Sequence, residues 1–231
     1  MTSNLLSLAI ASAPLLGSQQ TIPRLARLDD LFTKTADQFF VIERGAVRLF
    51  VTGSDGKRFF LNILSSGEIF TPEISSLISG GHVQIGLEAI KEVTLRQIPR
   101  ASWQEFCEHH AQLQRCVMHQ EVERLQIVHF HLAQHCKRGS IDRARFALWS
   151  YARSLGVASA CGSVAIRVSR TELADCVGVS SDRVTRLIRQ LQDRGEIKTE
   201  GRNIIIGNEL LCGMISRLPL RRNANLAPVA I

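Results

Sequence analysis

Between Ser180 and Gln190 the chain sets Ser181, Asp182, Thr185, Arg186 and Arg189 at steps that place all five on one side of an α-helix. These are side chains that can read a nucleic acid. The planar fork of Arg186 matches O6 and N7 of a guanine in a major groove, and the Asp182 carboxylate can accept from a cytosine amino group. Ser181 and Thr185 add short hydroxyls that donate or accept. Around them Ser169, Arg170, Arg189, Lys198 and Arg202 supply donors suited to phosphate oxygens, contacts that fix register and carry no sequence information.

The histidines are the other group with chemistry to offer. His109, His110, His119, His129, His131 and His135 crowd into one stretch, with His82 apart. His131 and His135 are four residues apart, one helical turn, and can share a metal or join their symmetry mates around one. No carboxylate or cysteine completes that pair, so a metal site is not expected and solvated or edge imidazoles on an amphipathic helix are. His129-Phe130-His131 spells the H-x-H of metal-binding cupins, but on helical rather than strand periodicity. A haem ligand among His82, Cys107 and these residues stays open, as does a chain with no cofactor. The six cysteines are scattered without a C-x-x-C pair, which suggests neither zinc nor disulfides and fits a reducing cytoplasm. No nucleophile–base arrangement or phosphate-cradling glycine loop is present. The strands between Phe39 and Phe70 hold no His or Cys. A metal-dependent enzyme built on them would therefore lack ligands, and an enzyme is not expected.

The elements that must position the first group follow from local rules. Ser169 can cap a helix with Glu172 three residues on as its capping-box partner. Leu173, Ala174 and Val177 form the inner face, with Cys176 as a small apolar filler, and Gly178 stands where the chain must turn with positive φ. Val179 enters the core and Ser180 caps a second helix, whose Val184, Leu187, Ile188 and Leu191 repeat at 3.6-residue spacing. Small Ala174, then Gly178 four residues later and Val184 six beyond, is the helix-turn-helix spacing. After Gly195, Glu196–Thr199 and Ile204–Ile206 read as two strands around Glu200-Gly201-Arg202-Asn203, a wing.

Helix, turn, helix with Ser180-Ser181-Asp182-Arg183-Val184-Thr185-Arg186, then Arg194-Gly195-Glu196-Ile197 and a hairpin, resembles the winged-helix end of the CRP/FNR transcription regulators. The resemblance implies that Arg186 is the base-reading arginine and that Asp182 takes the place of a base-reading glutamate. Ser181 replaces a common arginine. Charge agrees with such a reader: from Lys137 onward there are 16 basic and 8 acidic residues, and before it 12 and 13.

At 231 residues the chain accommodates two small domains, and no run of 18 apolar residues could span a membrane. The first 23 residues carry no Lys or Arg ahead of their apolar run, so a signal peptide is not expected and a packed helix is. From about Thr21 to Pro99 the chain reads as β. Phe39–Ile42 and Ala46–Val51 hinge at Arg44-Gly45, Ser54–Lys57 forms a turn, and Arg58–Leu64 and Ser66–Phe70 follow. That order is similar to the β-roll sensor of the same family. In its cyclic-nucleotide-binding members an Arg-Ser or Arg-Thr pair holds the phosphate, and here Val83-Gln84 stands in its place. A buried phosphodiester without a cation is poorly compensated, so cyclic AMP is not expected. The cysteine cluster of iron–sulfur members is absent as well. Glu73 falls near the family's ribose position, and the resemblance adds Val128 and His129 as effector contacts.

A short helix over Pro99–Glu108 leads into a long one, Ala111–Cys136, along which Leu113, Val117, Leu125, Val128 and Leu132 recur. About 25 residues span on the order of 38 Å, more than so small a domain can cover, and a symmetry mate is the natural partner. Gly139-Ser140-Ile141-Asp142 breaks this helix, and helices at Arg143–Leu155 and Asn208–Leu218 flank the reader. The expected fold is α+β: a β-roll sensor over 1–110, a dimerisation helix over 111–138 and a winged helix-turn-helix over 139–231. The resemblance implies a cytoplasmic homodimer on near-palindromic double-stranded DNA, with RNA polymerase as a partner. The alternatives are a haem- or metal-dependent sensor using the His-rich helix, and a regulator without a small-molecule effector, controlled by abundance or cysteine oxidation.

Overall fold

The structure, a computed structural model, describes residues 17–28, 37–52, 54, 58–70, 84–109, 111–137, 139–159 and 162–217. It divides into two compact units, Met1–Arg124 and Leu125–Ile231.

The first unit is antiparallel β. Strands β1 (Ser18–Ile22), β2 (Gln38–Arg44), β5 (Ile69–Phe70) and β7 (Val93–Pro99) form one sheet in the order β1-β7-β2-β5. A second sheet is ordered β4-β3-β6, from β3 (Ala46–Thr52), β4 (Arg58–Ser65) and β6 (Gln84–Ala89). The corner between β2 and β3 is Gly45, at φ +92°, where a Cβ would lie 2.3 Å from the Glu92 carbonyl oxygen. Only glycine satisfies both conditions. Apolar residues from both sheets, among them Phe40, Ile42, Val47, Leu49, Ile63, Leu64 and Leu95, are buried between them.

Residues 18–22 correct the expected N-terminal helix. They form an edge strand on β7, with Ser18 opposite Gln97 and Ile22 opposite Val93. The polar run Ser-Gln-Gln-Thr has no apolar stripe to bury as a helix, whereas as a strand it satisfies the open backbone edge of β7. A Gln97 to Gln20 side-chain bond of 2.7 Å reinforces the pair. Residues 1–16 lie outside the described residues, as do most of the expected turn at 54–57 and the basic pair Arg221-Arg222.

Helix α1 (Arg100–His109) packs on the first sheet through Trp103 and Cys107, which join Val41, Ile69, Ile98 and Leu113 in one cluster. Burial pushes the Cys107 thiol up from its ordinary pKa. Helix α2 (Ala111–Lys137) is 27 residues long, about 40 Å at 1.5 Å per residue. In its first half Gln120 donates to the Gly67 carbonyl at 2.9 Å, and buried Arg124 donates to the Ile69 carbonyl.

The outward stripe of α2 differs from the expected one. Leu113 and Val117 pack inward against the first unit's cluster and Val128 is half-buried. The exposed apolar residues are Met118, Val122, Leu125 and Leu132, at 65, 50, 56 and 43 % of full exposure. With exposed His129 they step 4, 3, 4, 3 along the helix, a heptad seam. The sequence shows two interleaved apolar stripes, and only packing decides which one a domain consumes.

In the second unit helix α3 (Ser140–Leu155) runs through the core and buries Ala144 and Phe146–Ala152. Helices α4 (Arg170–Val177), α5 (Ser181–Asp193) and α6 (Asn208–Arg217) surround it. A small sheet ordered β10-β11-β9-β8 joins β8 (Val157–Ala158), β9 (Val164–Ile166), β10 (Ile197–Glu200) and β11 (Asn203–Ile206). The fold class is the expected α+β.

Candidate nucleic-acid interface

The helix pair α4–α5 is set by its ends. Ser169 accepts from the Glu172 backbone N–H at 3.1 Å, and the Glu172 carboxylate accepts from the Ser169 N–H at 2.9 Å, a complete capping box. Because the Ser169 oxygen accepts in this cap, its own proton stays available for a phosphate. Gly178 ends α4 in the left-handed region (φ 69°, ψ 45°), with its N–H on the Ala174 carbonyl. Arg143 of α3 donates to the Val177 carbonyl at 2.9 Å and so satisfies another helix-end acceptor. Ser180 then caps α5 by accepting from the Arg183 N–H at 3.3 Å.

Val184, Leu187, Ile188 and Leu191 are buried beneath α5 against Leu173, Ala174, Cys176 and Val177 of α4. Val179 is half-buried. The opposite face carries Ser181, Asp182, Arg186 and Arg189, all exposed, and half-exposed Thr185. Thr185 donates its hydroxyl proton to the Ser181 carbonyl at 3.1 Å. Its oxygen therefore meets an incoming group as an acceptor.

The wing is the hairpin β10–β11, which pairs Ile197 with Ile206 and Glu200 with Asn203, while β11 pairs with β9 on its other side. Lys198 on β10 and Arg202 in the turn are exposed, as is Ser169, and Arg170 is half-exposed. The expected DNA-contact residues thus lie on α5, on the N-terminal end of α4 and on the wing, all within one unit. Arg167, Arg183 and Arg194 are exposed basic residues that the sequence reading passed over.

It also passed over an ion-pair cluster at the root of the wing. Arg145 of α3 donates from Nε to Glu196 Oε2 at 2.7 Å and from its second nitrogen to the other Glu196 oxygen. Its third nitrogen donates to Asp142 at 2.7 Å. The Glu196 bond, foremost, holds the arginine above its ordinary pKa, with burial opposing. Arg145 and Glu196 are 51 residues apart, so no local spacing signals the pair.

The effector and metal candidates are placed less fully. Glu73 and His82 lie outside the described residues. Val128 and His129 are neighbours on α2, one half-buried and one exposed. His131 corrects the expectation of an edge imidazole. It is fully buried, its ring stacked on Phe146 with centroids 4.1 Å apart. A ring covered within its own unit cannot share a metal across a symmetry axis. The side chain of His135 lies outside the described set. Among the described residues no three His, Cys, Asp or Glu side chains gather as a metal site. None of the helices among those residues is long and apolar enough to cross a membrane.

Comparison with known proteins matches residues 33–110 to the cyclic nucleotide-binding domain family and residues 144–209 to the Crp-like helix-turn-helix domain family. The nitrogen fixation regulation protein FixK of Bradyrhizobium diazoefficiens is 26 % identical over 160 residues, 69 % of this chain and 65 % of that one. The chain therefore spans a little under two thirds of that relative's length. The cAMP-activated global transcriptional regulator CRP of Salmonella typhimurium is 20 % identical over 171 residues, 74 % of this chain and 81 % of CRP. Among solved structures, the c-di-GMP responsive global regulator CLP of Xanthomonas campestris is similar with a TM-score of 0.65 and 18 % identity, covering 87 % of this chain and 98 % of CLP. A CRP/FNR-family transcriptional regulator from Thermus thermophilus is similar with a TM-score of 0.62 and 18 % identity, covering 86 % and 97 %. At these identities the structural likeness concerns the fold.

Proposed function

This chain belongs to the CRP/FNR family of transcription regulators, and on that premise we propose that it binds a near-palindromic DNA operator as a homodimer to control transcription. In this reading residues 1–110 sense a signal, 111–138 pair two copies and 139–231 read DNA. The observation that carries it is the two-sided recognition helix α5: four apolar residues seated in the core and, opposite, an exposed face of Ser181, Asp182, Arg186 and Arg189 with Thr185. Arg186 and Asp182 read base edges, with Ser181 and Thr185 beside them. Ser169, Arg170, Arg189, Lys198 and Arg202 hold phosphates.

Support for pairing comes from the heptad seam Met118, Val122, Leu125, His129 and Leu132, which the chain leaves exposed. Two-fold pairing along it would set two copies of α5 about one DNA turn apart, which is what makes the operator near-palindromic. RNA polymerase and the cytoplasm are the partner and compartment that such regulation requires. The named relatives respond to cAMP and c-di-GMP. Because Val83-Gln84 stands where the family's phosphate-holding arginine falls, this chain's signal is one other than cyclic AMP.

The test begins with selection of a binding site from a randomised duplex pool. Binding of the parent and Arg186→Ala is then measured on the selected site and on a scrambled duplex. The substitution is expected to cost about 1–3 kcal/mol on the selected site, confined to one G·C pair per half-site, and little on the scrambled one. Equal losses on both duplexes would remove Arg186 from base reading.

A further inference from the structure

The turn that launches the wing is anchored on three sides through one residue. The Glu196 N–H donates to the Leu191 carbonyl at 3.0 Å, closing the recognition helix. Its own carbonyl accepts from the Gly207 N–H at 3.0 Å, where the wing returns to the body. Its carboxylate takes two bonds from the Arg145 guanidinium, whose third nitrogen is held by Asp142. All three side chains are mostly covered, at 17, 18 and 19 % exposure for Arg145, Glu196 and Asp142. A second tie lies further out: Gln192, in the last turn of α5, donates to the Thr199 hydroxyl at 2.9 Å.

Lys198 falls between these two ties, and Arg202 lies just past the end of β10. A carboxylate at a wing root is costly to cover unless it is paired, and a two-pronged arginine fixes direction as well as charge. A hairpin free to swing would lose ordering entropy each time Lys198 or Arg202 met a phosphate, whereas one already held loses little. Burial of Ile197, Ile204 and Ile206 fixes where the hairpin sits. Its angle to α5 is set by groups that span from α3 and α5 to the wing, which are Arg145 and Gln192.

We infer that Arg145 is a positioning residue for duplex binding. Through Glu196 it holds the wing at the angle to α5 that lets Lys198 and Arg202 meet phosphates while Arg186 meets bases. This rests on the DNA-binding reading above. It assigns a role in binding to a residue on α3, away from both α5 and the wing.

The experiment uses the full chain, fluorescence anisotropy and two duplexes, the selected site and its scramble, between about 50 and 200 mM salt. Arg145→Met is compared with Lys198→Ala and with the two combined. Arg145→Met is expected to make the slope of log K against log salt shallower by about 0.9 on both duplexes, the signature of one lost phosphate contact. The double variant should lose little beyond either single one, and the exchanged pair Arg145→Glu with Glu196→Arg should recover the slope. A loss of stability alone would leave the slope of the folded protein unchanged. An unchanged slope, or losses that add in the double variant, overturns the inference. Should Arg145→Met prove unfolded by circular dichroism, Glu196→Gln keeps the shape and one acceptor oxygen. It must then show the shallower slope, and a parental slope overturns the inference. A parent that binds neither duplex overturns the DNA-binding reading and this inference together. A parent that prefers the selected site while Arg145→Met titrates as the parent does overturns the positioning role alone.

Discussion

In the sheet unit, Glu88 on β6 is gripped by Arg48 of β3 at 2.6 Å and Arg58 of β4 at 2.7 Å. In the other unit, Arg145 of α3 is gripped by Asp142 and Glu196. The first cluster gathers two cations onto one anion across three neighbouring strands. Arg58 also lies over the Phe50 ring at 4.5 Å, a ring that approaches Gly86 so closely that a Cβ there would sit 2.5 Å from it. The second gathers two anions onto one cation at the root of the wing. With Glu172 held in its cap, three of the reader's acidic residues are drawn into structural bonds. Arg186, Arg189, Lys198 and Arg202 remain exposed, and none forms an ion pair with another described residue. A count of basic residues therefore understates the contrast between the units. The sheet unit turns arginines inward to close a surface, and the reader turns carboxylates inward to leave a cationic one.

Substitution in the sheet unit should produce the largest effect. Glu88→Ala leaves a covered Arg48 without its counter-charge and is expected to destabilise that unit by about 3–5 kcal/mol. Urea unfolding would show this as a lower midpoint for the transition of the sheet unit. A cost under about 1 kcal/mol, the range of an exposed pair, would mean that the cluster closes nothing. Ser169→Ala probes the reader's scaffold and should cost about 1 kcal/mol, since it removes one half of the capping box. Its check is the thermal midpoint measured without DNA. The smallest effect on stability should come from Arg189→Ala, within about 0.5 kcal/mol by unfolding, because an exposed cation without an ion pair stabilises little. Its effect should appear instead as weaker binding to selected and scrambled duplexes alike. A large unfolding effect from Arg189→Ala would erase the distinction between the two units.

Much of the reader was legible because its determinants are local. A capping box spans four residues, a left-handed glycine is one residue, and an amphipathic helix declares its faces within two turns. Ser169, Gly178 and Ser180 take up their expected roles for that reason. In the sheet unit the strands around Gly45 were readable from alternation and turns. Residues 18–22 were not, since a polar run becomes a strand only when β7 offers it an edge. His131 looked like one of six equivalent histidines, and only the approach of Phe146 buries it.

The sequence alone determined which residues cap, turn and line the recognition helix, because each of those choices is made by bonds within a few positions of the chain. It also set the uneven charge, with the basic excess confined to the C-terminal part. Tertiary structure alone decided which stripe of α2 stays open, that Arg145 reaches Glu196 across 51 residues, and that the reader's carboxylates face inward. Those outcomes depend on contacts between distant segments, whose energies exist only once the chain has brought them together.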